Sequence, residues 1–321
     1  MHPWNESVLE SLKKTRERLP HALLIHGPRG VGKLALAERF AQFLLCEHAS
    51  LGARPCGQCD ACRWYLAGNH PDFRRVEPEA LAKTPLAEPD AEEGAEAPAR
   101  RTKQPSLFIT VDQVRGLADF LNLGSHRGAL RIALLHPAED LYQPNAANAL
   151  LKSLEEPPAG AIFLLVSHRP ARLLPTVRSR CVAVPVPIPP ADLALRWLSS
   201  RGVENAERWL AFAGGAPLQA VQYAEDAAPW ERLLKSPQAV DDRESLEVLA
   251  EALQKIAYDR VFSAFGLPPK YRTGTAPASP AKLRRWIAYA RQMGENRVLT
   301  RHPLSPRLFS ADMLAAMRDL T

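Results

Sequence analysis

Residues 27–34, GPRGVGKL, decide the fold of this chain. A short apolar run, ALLIHG at 22–27, precedes them, and a helical pattern, LALAERFAQFLL at 34–45, follows. Glycines in such a loop let backbone N–H groups turn toward a phosphate, and the lysine adds positive charge beside it. This strand, loop and helix therefore predict a phosphate-binding loop, whose candidate nucleotide contacts are Gly27, Gly30, Gly32, Lys33 and Leu34.

The groups that would complete a nucleotide-hydrolysing site are replaced. Ser or Thr normally follows the lysine and coordinates Mg²⁺, but this chain has Leu34. Further along, the apolar run LRIALLH ends in His136 and Pro137, where an ATPase places acids that hold the metal and orient water. Imidazole suits Mg²⁺ poorly, and proline offers neither base nor donor. ATP or ADP binding stays open, whereas hydrolysis by this chain is not expected.

Apolar runs alternate with helical patterns as far as residue 188, which predicts a parallel α/β sheet flanked by helices. Besides 22–27, the expected strands are 73–78, 130–136, 162–167 and 181–186. Helices are expected over 34–45, 110–123 and 146–156. Thr110 and Gln113 have the spacing of a helix capping box.

Composition divides the chain into three predicted parts. The sheet domain covers 1–188 and contains a stretch at 78–106, rich in Ala, Pro and Glu, that we expect to be a flexible surface insertion. The prolines of VPVPIPP end the sheet, and a three-helix unit follows at 189–228. The remaining part, 229–321, shows amphipathic helical patterns throughout.

Four of the five cysteines follow the spacing C-x9-C-x2-C-x2-C within 46–62. In a chain without a secretory signal pattern, such a cluster indicates metal binding rather than disulfides. Four thiolates satisfy tetrahedral zinc and leave no open position, so we predict a structural Zn²⁺ site rather than a catalytic one. Buried free thiols are the alternative. The predicted ligands are Cys46, Cys56, Cys59 and Cys62.

Charge and hydropathy exclude some classes and leave others open. The net charge of +6 permits nucleic-acid contact, but the basic residues are dispersed, so charge alone does not decide the matter. No apolar run approaches the roughly 18 residues of a membrane span. The first residues, MHPWNESVLESLKK, lack the basic and then apolar pattern of a signal peptide. We therefore expect a cytoplasmic location and no membrane partner.

The segment RLLPTVRSRC at 172–181 places Arg180 at the end of a short helix, just before the last expected strand. An arginine at a domain edge can enter a neighbouring subunit's site and stabilise charge on a transferring phosphoryl group. A surface salt bridge is the simpler interpretation of the spacing. Both interpretations remain open at this level.

Four segments in this order carry a family resemblance: GPRGVGK at 27–33, CGQCDAC at 56–62, NAANALLKSLEEPP at 145–158 and LLPTVRSRC at 173–181. Together they resemble the delta-prime family of bacterial DNA polymerase III clamp-loader subunits, in the AAA+ superfamily. The resemblance is strong over about 20–190 and only architectural beyond. It implies an AAA+ P-loop domain at 1–188, a helical lid at 189–228 and a collar domain for oligomerisation at 229–321.

The resemblance also implies a non-hydrolysing subunit of a DNA polymerase holoenzyme. Its partners would be gamma/tau and delta subunits, with the sliding clamp and primed DNA reached through the complex. Arg180 would act in trans on a neighbour's ATP, and the four cysteines would bind structural zinc. The alternatives are a catalytically active gamma/tau-like ATPase and a zinc-knuckle nucleic-acid-binding protein.

Overall fold

The computed structural model describes residues 1–82, 105–123, 130–300 and 304–320. Most of the expected flexible insertion, residues 83–104, lies outside this description. The chain forms two compact units, Met1–Ile188 and Pro189–Thr321.

A parallel five-stranded sheet forms the centre of the first unit, with strand order β2-β3-β4-β1-β5. Its strands are β1 (Ala22–His26), β2 (Phe73–Val76), β3 (Arg131–Leu135), β4 (Ala161–Ser167) and β5 (Val182–Pro185). All residues of β3 and β4 are buried, as expected for near-continuous apolar strands covered on both faces. The predicted strands are confirmed, with every end within two residues.

Helices accompany these strands along the first unit. They are α1 (Glu6–Lys14), α2 (Lys33–Leu45), α3 (Asp60–Leu66), α4 (Val111–Asn122), α5 (Asn145–Glu155) and α6 (Pro175–Arg178). The predicted capping box is confirmed, because the Thr110 hydroxyl accepts the Gln113 N–H at 3.3 Å and the Gln113 side chain accepts the Thr110 N–H at 2.8 Å. Leu117 of α4 and Leu150 of α5 belong to the same buried cluster as the strands.

The second unit is helical in its described part. Its helices are α7 (Ala191–Ser200), α8 (Ala206–Phe212), α9 (Pro217–Glu225), α10 (Ala227–Lys235), α11 (Arg243–Ala264), α12 (Leu283–Leu299) and α13 (Pro306–Arg318). None of the helices in the described ranges is both long and apolar enough to cross a bilayer. Ala252 of α11 packs in the same buried cluster as Leu198 and Trp209, so side chains from both sides of residue 228 share one core. The division of this unit into 189–228 and 229–321 stays a prediction.

Lys255 occupies a cage of aromatic rings inside the second unit. Its ammonium lies 3.8 Å from the ring centre of Phe212 and 4.1 Å from that of Tyr223. It also donates to the Tyr223 hydroxyl at 3.0 Å and pairs with Glu251 at 2.8 Å. Arg297 contacts the other oxygen of Glu251 at 3.0 Å, so the network ties α9, α11 and α12 together.

Candidate functional site

The phosphate loop joins β1 to α2, and its glycines are fixed by backbone geometry. A Cβ at Gly27 would lie 2.2 Å from the carbonyl oxygen of Val186, closer than any side chain tolerates. Gly30 and Gly32 have φ values of 83° and 82°, in the left-handed region that favours glycine. The loop predicted from the sequence therefore forms, and α2 begins directly after it.

Lys33 is turned inward toward its own loop. Its side chain is buried, and Nζ donates to the Pro28 carbonyl at 2.5 Å. Burial lowers the pKa of Lys33 to about 8, with Glu139 opposing the decrease and Arg29 adding to it. A phosphate in the loop would compete with the Pro28 carbonyl for the ammonium. Leu34 follows in the first turn and provides no hydroxyl for a metal.

An N-terminal turn packs against the loop, a contact the sequence did not predict. The Trp4 indole donates to the Val31 carbonyl at 2.9 Å, and the Asn5 amide donates to the same oxygen at 2.9 Å. A Cβ at Gly32 would come within 2.4 Å of the His2 ring. The sequence feature that could have indicated this contact is Trp4, a large aromatic residue beside polar Asn5. The turn thus helps fix the loop's conformation.

His136, at one of the two positions where an ATPase would carry acids, lies against His168 at the end of the neighbouring strand β4. The rings of His136 and His168 meet edge to face, with centroids 5.2 Å apart. Burial, with a further contribution from Lys33, lowers the pKa of His136 to about 4 and that of His168 to about 2. Both imidazoles are therefore neutral at physiological pH. The ends of β3 and β4 carry an uncharged aromatic pair, which cannot replace carboxylates as ligands for Mg²⁺.

Glu139, two residues after Pro137, is a site residue that the sequence motifs do not indicate. It lies in a buried turn at Ala138–Asp140. Its carboxylate oxygens accept the backbone N–H of His168 at 2.9 and 3.2 Å. Glu139 thus links the turn to the end of β4. Its negative charge also opposes the lowering of the Lys33 pKa that burial causes.

The four cysteines converge, as the spacing predicts. Their sulfur atoms all lie within 4.8 Å of one another. The Sγ atoms of Cys46 and Cys59 are 3.9 Å apart, and those of Cys56 and Cys62 are 4.0 Å apart. Tetrahedral zinc with Zn–S bonds of about 2.3 Å requires sulfur separations of about 3.8 Å. The cluster therefore fits a four-thiolate metal ion.

Backbone N–H groups support the sulfurs of this cluster. The N–H of Cys59 points to the Cys56 sulfur at 3.3 Å, and that of Cys62 points to the Cys59 sulfur at 3.4 Å. Backbone hydrogen bonds, with that from Cys59 the largest contribution, lower the pKa of Cys56 to about 6, which favours the thiolate that metals bind. The cluster is held by the chain leaving α2 and by the start of α3.

Arg180 lies just beyond α6, at the start of the turn into β5. Its Nη1 donates to the Thr176 carbonyl at 2.8 Å, and its Nη2 pairs with Glu155 of α5 at 2.5 Å. The side chain is 33% exposed. The surface salt bridge that the sequence left as the simpler interpretation is thus present.

A parallel sheet carrying a glycine-rich loop before α2, with β4 inserted between β1 and β3, defines an AAA+ P-loop protein. The family profile described as "DNA polymerase III, delta subunit" matches residues 4–189. This match covers more than half of the chain, and the chain belongs to that family, among curated relatives named DNA polymerase III subunit delta'.

Three similar proteins illustrate the range of the likeness. The delta' subunit of Pseudomonas aeruginosa is 42% identical over 225 residues, which are 68% of this chain and 60% of the relative. The tau subunit of Salmonella typhimurium is 37% identical over 51% of this chain and 21% of its own length. A solved DNA polymerase III gamma subunit-related protein from Thermotoga maritima is 18% identical, with 97% and 99% coverage and a TM-score of 0.45.

Proposed function

We propose that this chain is a non-hydrolysing delta-prime subunit of a DNA polymerase III clamp loader. In this role it joins gamma/tau and delta subunits and helps to place the sliding clamp on primed DNA. Membership of the family and the names of the relatives support this assignment.

The replaced groups around Lys33 support the non-hydrolysing part of the proposal. Leu34 offers no hydroxyl, and the His136–His168 pair is neutral and aromatic. The nearby carboxylate of Glu139 is engaged by a backbone N–H. The loop keeps its shape, so ATP or ADP can be bound without being turned over.

The observation that carries the role in trans is the hydrogen bonding of Arg180. A guanidinium has five N–H donors, and two of them contact Thr176 and Glu155. The other three have no partner within the described ranges of the chain. A partly exposed arginine with a free donor edge can stabilise the transferring phosphoryl group of a neighbouring ATPase subunit.

The cysteine cluster supports a structural zinc ion in the same subunit. Cys46, Cys56, Cys59 and Cys62 would hold it, and four thiolates leave no position for a substrate. Bound zinc would cross-link the chain that connects α2 to α3. We therefore expect about one zinc per chain in purified protein, measurable by atomic absorption.

The test of the proposal is the DNA-stimulated ATPase of a loader reconstituted from this chain with delta and gamma/tau subunits. Arg180→Ala should lower turnover on the order of 100-fold or more, because removing such an arginine removes transition-state stabilisation. The matched control is Arg178→Ala, an exposed arginine two residues away that should leave the rate unchanged. An unchanged rate with Arg180→Ala would remove the role in trans.

The gamma/tau-like alternative makes the opposite prediction for the isolated chain. The purified protein should show no ATP turnover under our proposal. Turnover of about 1 s⁻¹ that disappears with Lys33→Met would establish the active-ATPase alternative instead.

A further inference from the structure

The last turn of α5 ends with two acidic residues, against the electrostatics of a helix. Glu155 is the final helical residue and Glu156 is the C-cap. The C-terminal end of a helix carries partial negative charge, so acidic side chains there are unfavourable. A negative side chain at the negative end of a helix therefore requires a compensating contact or a function.

Arg180 is the partner of Glu155. The contact between Nη2 and the Glu155 carboxylate is 2.5 Å, and it joins residues 25 positions apart in sequence. The two side chains are 33% and 49% exposed. Ion pairs this exposed contribute little to folding stability, so the pair is poorly explained as a stabilising contact.

The contact determines how the guanidinium is presented. Glu155 holds one terminal nitrogen and the Thr176 carbonyl holds the other, so both ends of the planar group are fixed. A free arginine side chain loses considerable rotamer freedom when it is ordered by a ligand. Because these two contacts already hold the guanidinium plane, less rotamer entropy is lost when the three remaining N–H groups bind a phosphate.

We propose that Glu155 is a positioning residue for Arg180, orienting the guanidinium for the neighbouring subunit's phosphoryl group. This inference rests on the proposed role of Arg180 in trans. Glu155 touches neither nucleotide nor reacting atoms and acts only through the arginine. Its effect should therefore appear in the turnover number and depend on Arg180 being present.

The experiment measures DNA-stimulated ATPase of the reconstituted loader with Glu155→Gln, which keeps size and loses charge. We expect kcat to fall about 3- to 10-fold, with KM for ATP unchanged because ATP is held by the neighbour's own loop. Glu156→Gln is the matched control, since Glu156 is exposed and adjacent. It should retain the wild-type rate.

The double variant separates positioning from a structural role. In the Arg180→Ala background, Glu155→Gln should cause no further loss, because nothing is left to orient. Equal losses with and without Arg180 would overturn the inference, as would a wild-type or increased rate for Glu155→Gln alone. An increased rate would mean that Glu155 sequesters the arginine. If Arg180→Ala itself has no effect, the proposed role in trans fails together with the inference.

Discussion

Lys33 and Lys255 are two buried lysines in different units of this molecule, and burial lowers the pKa of each to about 8. Lys255 is enclosed by a carboxylate, a phenol hydroxyl and aromatic rings. Lys33 has the carbonyl of Pro28 as its hydrogen-bond acceptor, with Glu139 acting on it through charge. Two desolvated ammonium groups thus differ in the number and kind of side chains that surround them.

The difference distinguishes a cation that supports the fold from a cation available to a ligand. Around Lys255, the partners are permanent side chains of the same unit, so its removal leaves Glu251 with less compensation. Around Lys33, the acceptor is a loop carbonyl that a phosphate oxygen could replace. Burial and a lowered pKa alone do not separate the two cases, but the number and kind of partners do.

The largest expected effect is the loss of Lys255. Lys255→Ala should lower the free energy of unfolding by about 4 kcal/mol, since it leaves the largely buried carboxylate of Glu251 short of its partner and empties an aromatic cage. Urea denaturation followed by tryptophan fluorescence measures this. Lys235→Ala, at an exposed position, is the control and should change stability by less than about 0.5 kcal/mol. A loss below about 1 kcal/mol for Lys255→Ala would contradict the structural role.

The carboxylate of the same network should show the next largest effect, through pH. Burial alone would raise the pKa of Glu251, but Lys255 and Arg297 outweigh it and lower the value to about 2. A depressed carboxyl pKa contributes stability above the unfolded value of 4.5, and this is lost as pH falls toward 2. The contribution is about 3 kcal/mol. Urea midpoints measured from pH 5 to pH 2 should fall more steeply in wild type than in Glu251→Gln. Parallel curves for the two proteins would refute the lowered pKa of Glu251.

His136, near Lys33, should give an effect of similar size in a different pH range. A folded-state pKa of His136 lowered to about 4 means that the unfolded chain binds a proton first as pH falls below the ordinary value of 6.5. Stability from this group is therefore present above pH 6.5 and is lost between about 6.5 and 4, by about 3 kcal/mol. His136→Phe should make the urea midpoint fall less steeply over that interval, while the lowered pKa of His168 leaves part of the slope in place. A slope equal to that of wild type would argue against a buried neutral imidazole.

The smallest effect is expected from Lys33 itself. Lys33→Met should change the free energy of unfolding by less than about 1 kcal/mol, in the stabilising direction, because it removes a desolvated charge from a site with few partners. The same variant should abolish any binding of fluorescent ATP or ADP to the chain. A loss as large as that for Lys255→Ala would erase the distinction between the two lysines.

Features set by local spacing were predictable from the sequence. The strands follow from apolar runs, the cap of α4 follows from Thr110 and Gln113, and the cysteine cluster follows from the close spacing of its members. Each of these depends on residues close together in the chain. Local periodicity and steric preference are therefore enough to define them.

Features set by the meeting of distant elements were not predictable in the same way. The contact of His136 with His168 depends on β3 and β4 pairing in register, and the contact of Arg180 with Glu155 depends on α6 packing beside α5. Glu139 is separated from β3 by a proline, yet the turn after Pro137 directs its carboxylate to the end of β4. The sequence identifies these side chains, but local patterns do not predict how the strands and helices that carry them pack together.

Gly27 has a consequence for how such motifs persist over evolution. Its missing side chain makes room for the Val186 carbonyl, a requirement of folding that would hold even if no nucleotide ever entered the loop. Natural selection on folding alone would therefore keep this glycine in a chain that hydrolyses no nucleotide. Genome searches that count a glycine-rich loop as a sign of ATP hydrolysis will consequently also collect chains that keep the loop for folding alone.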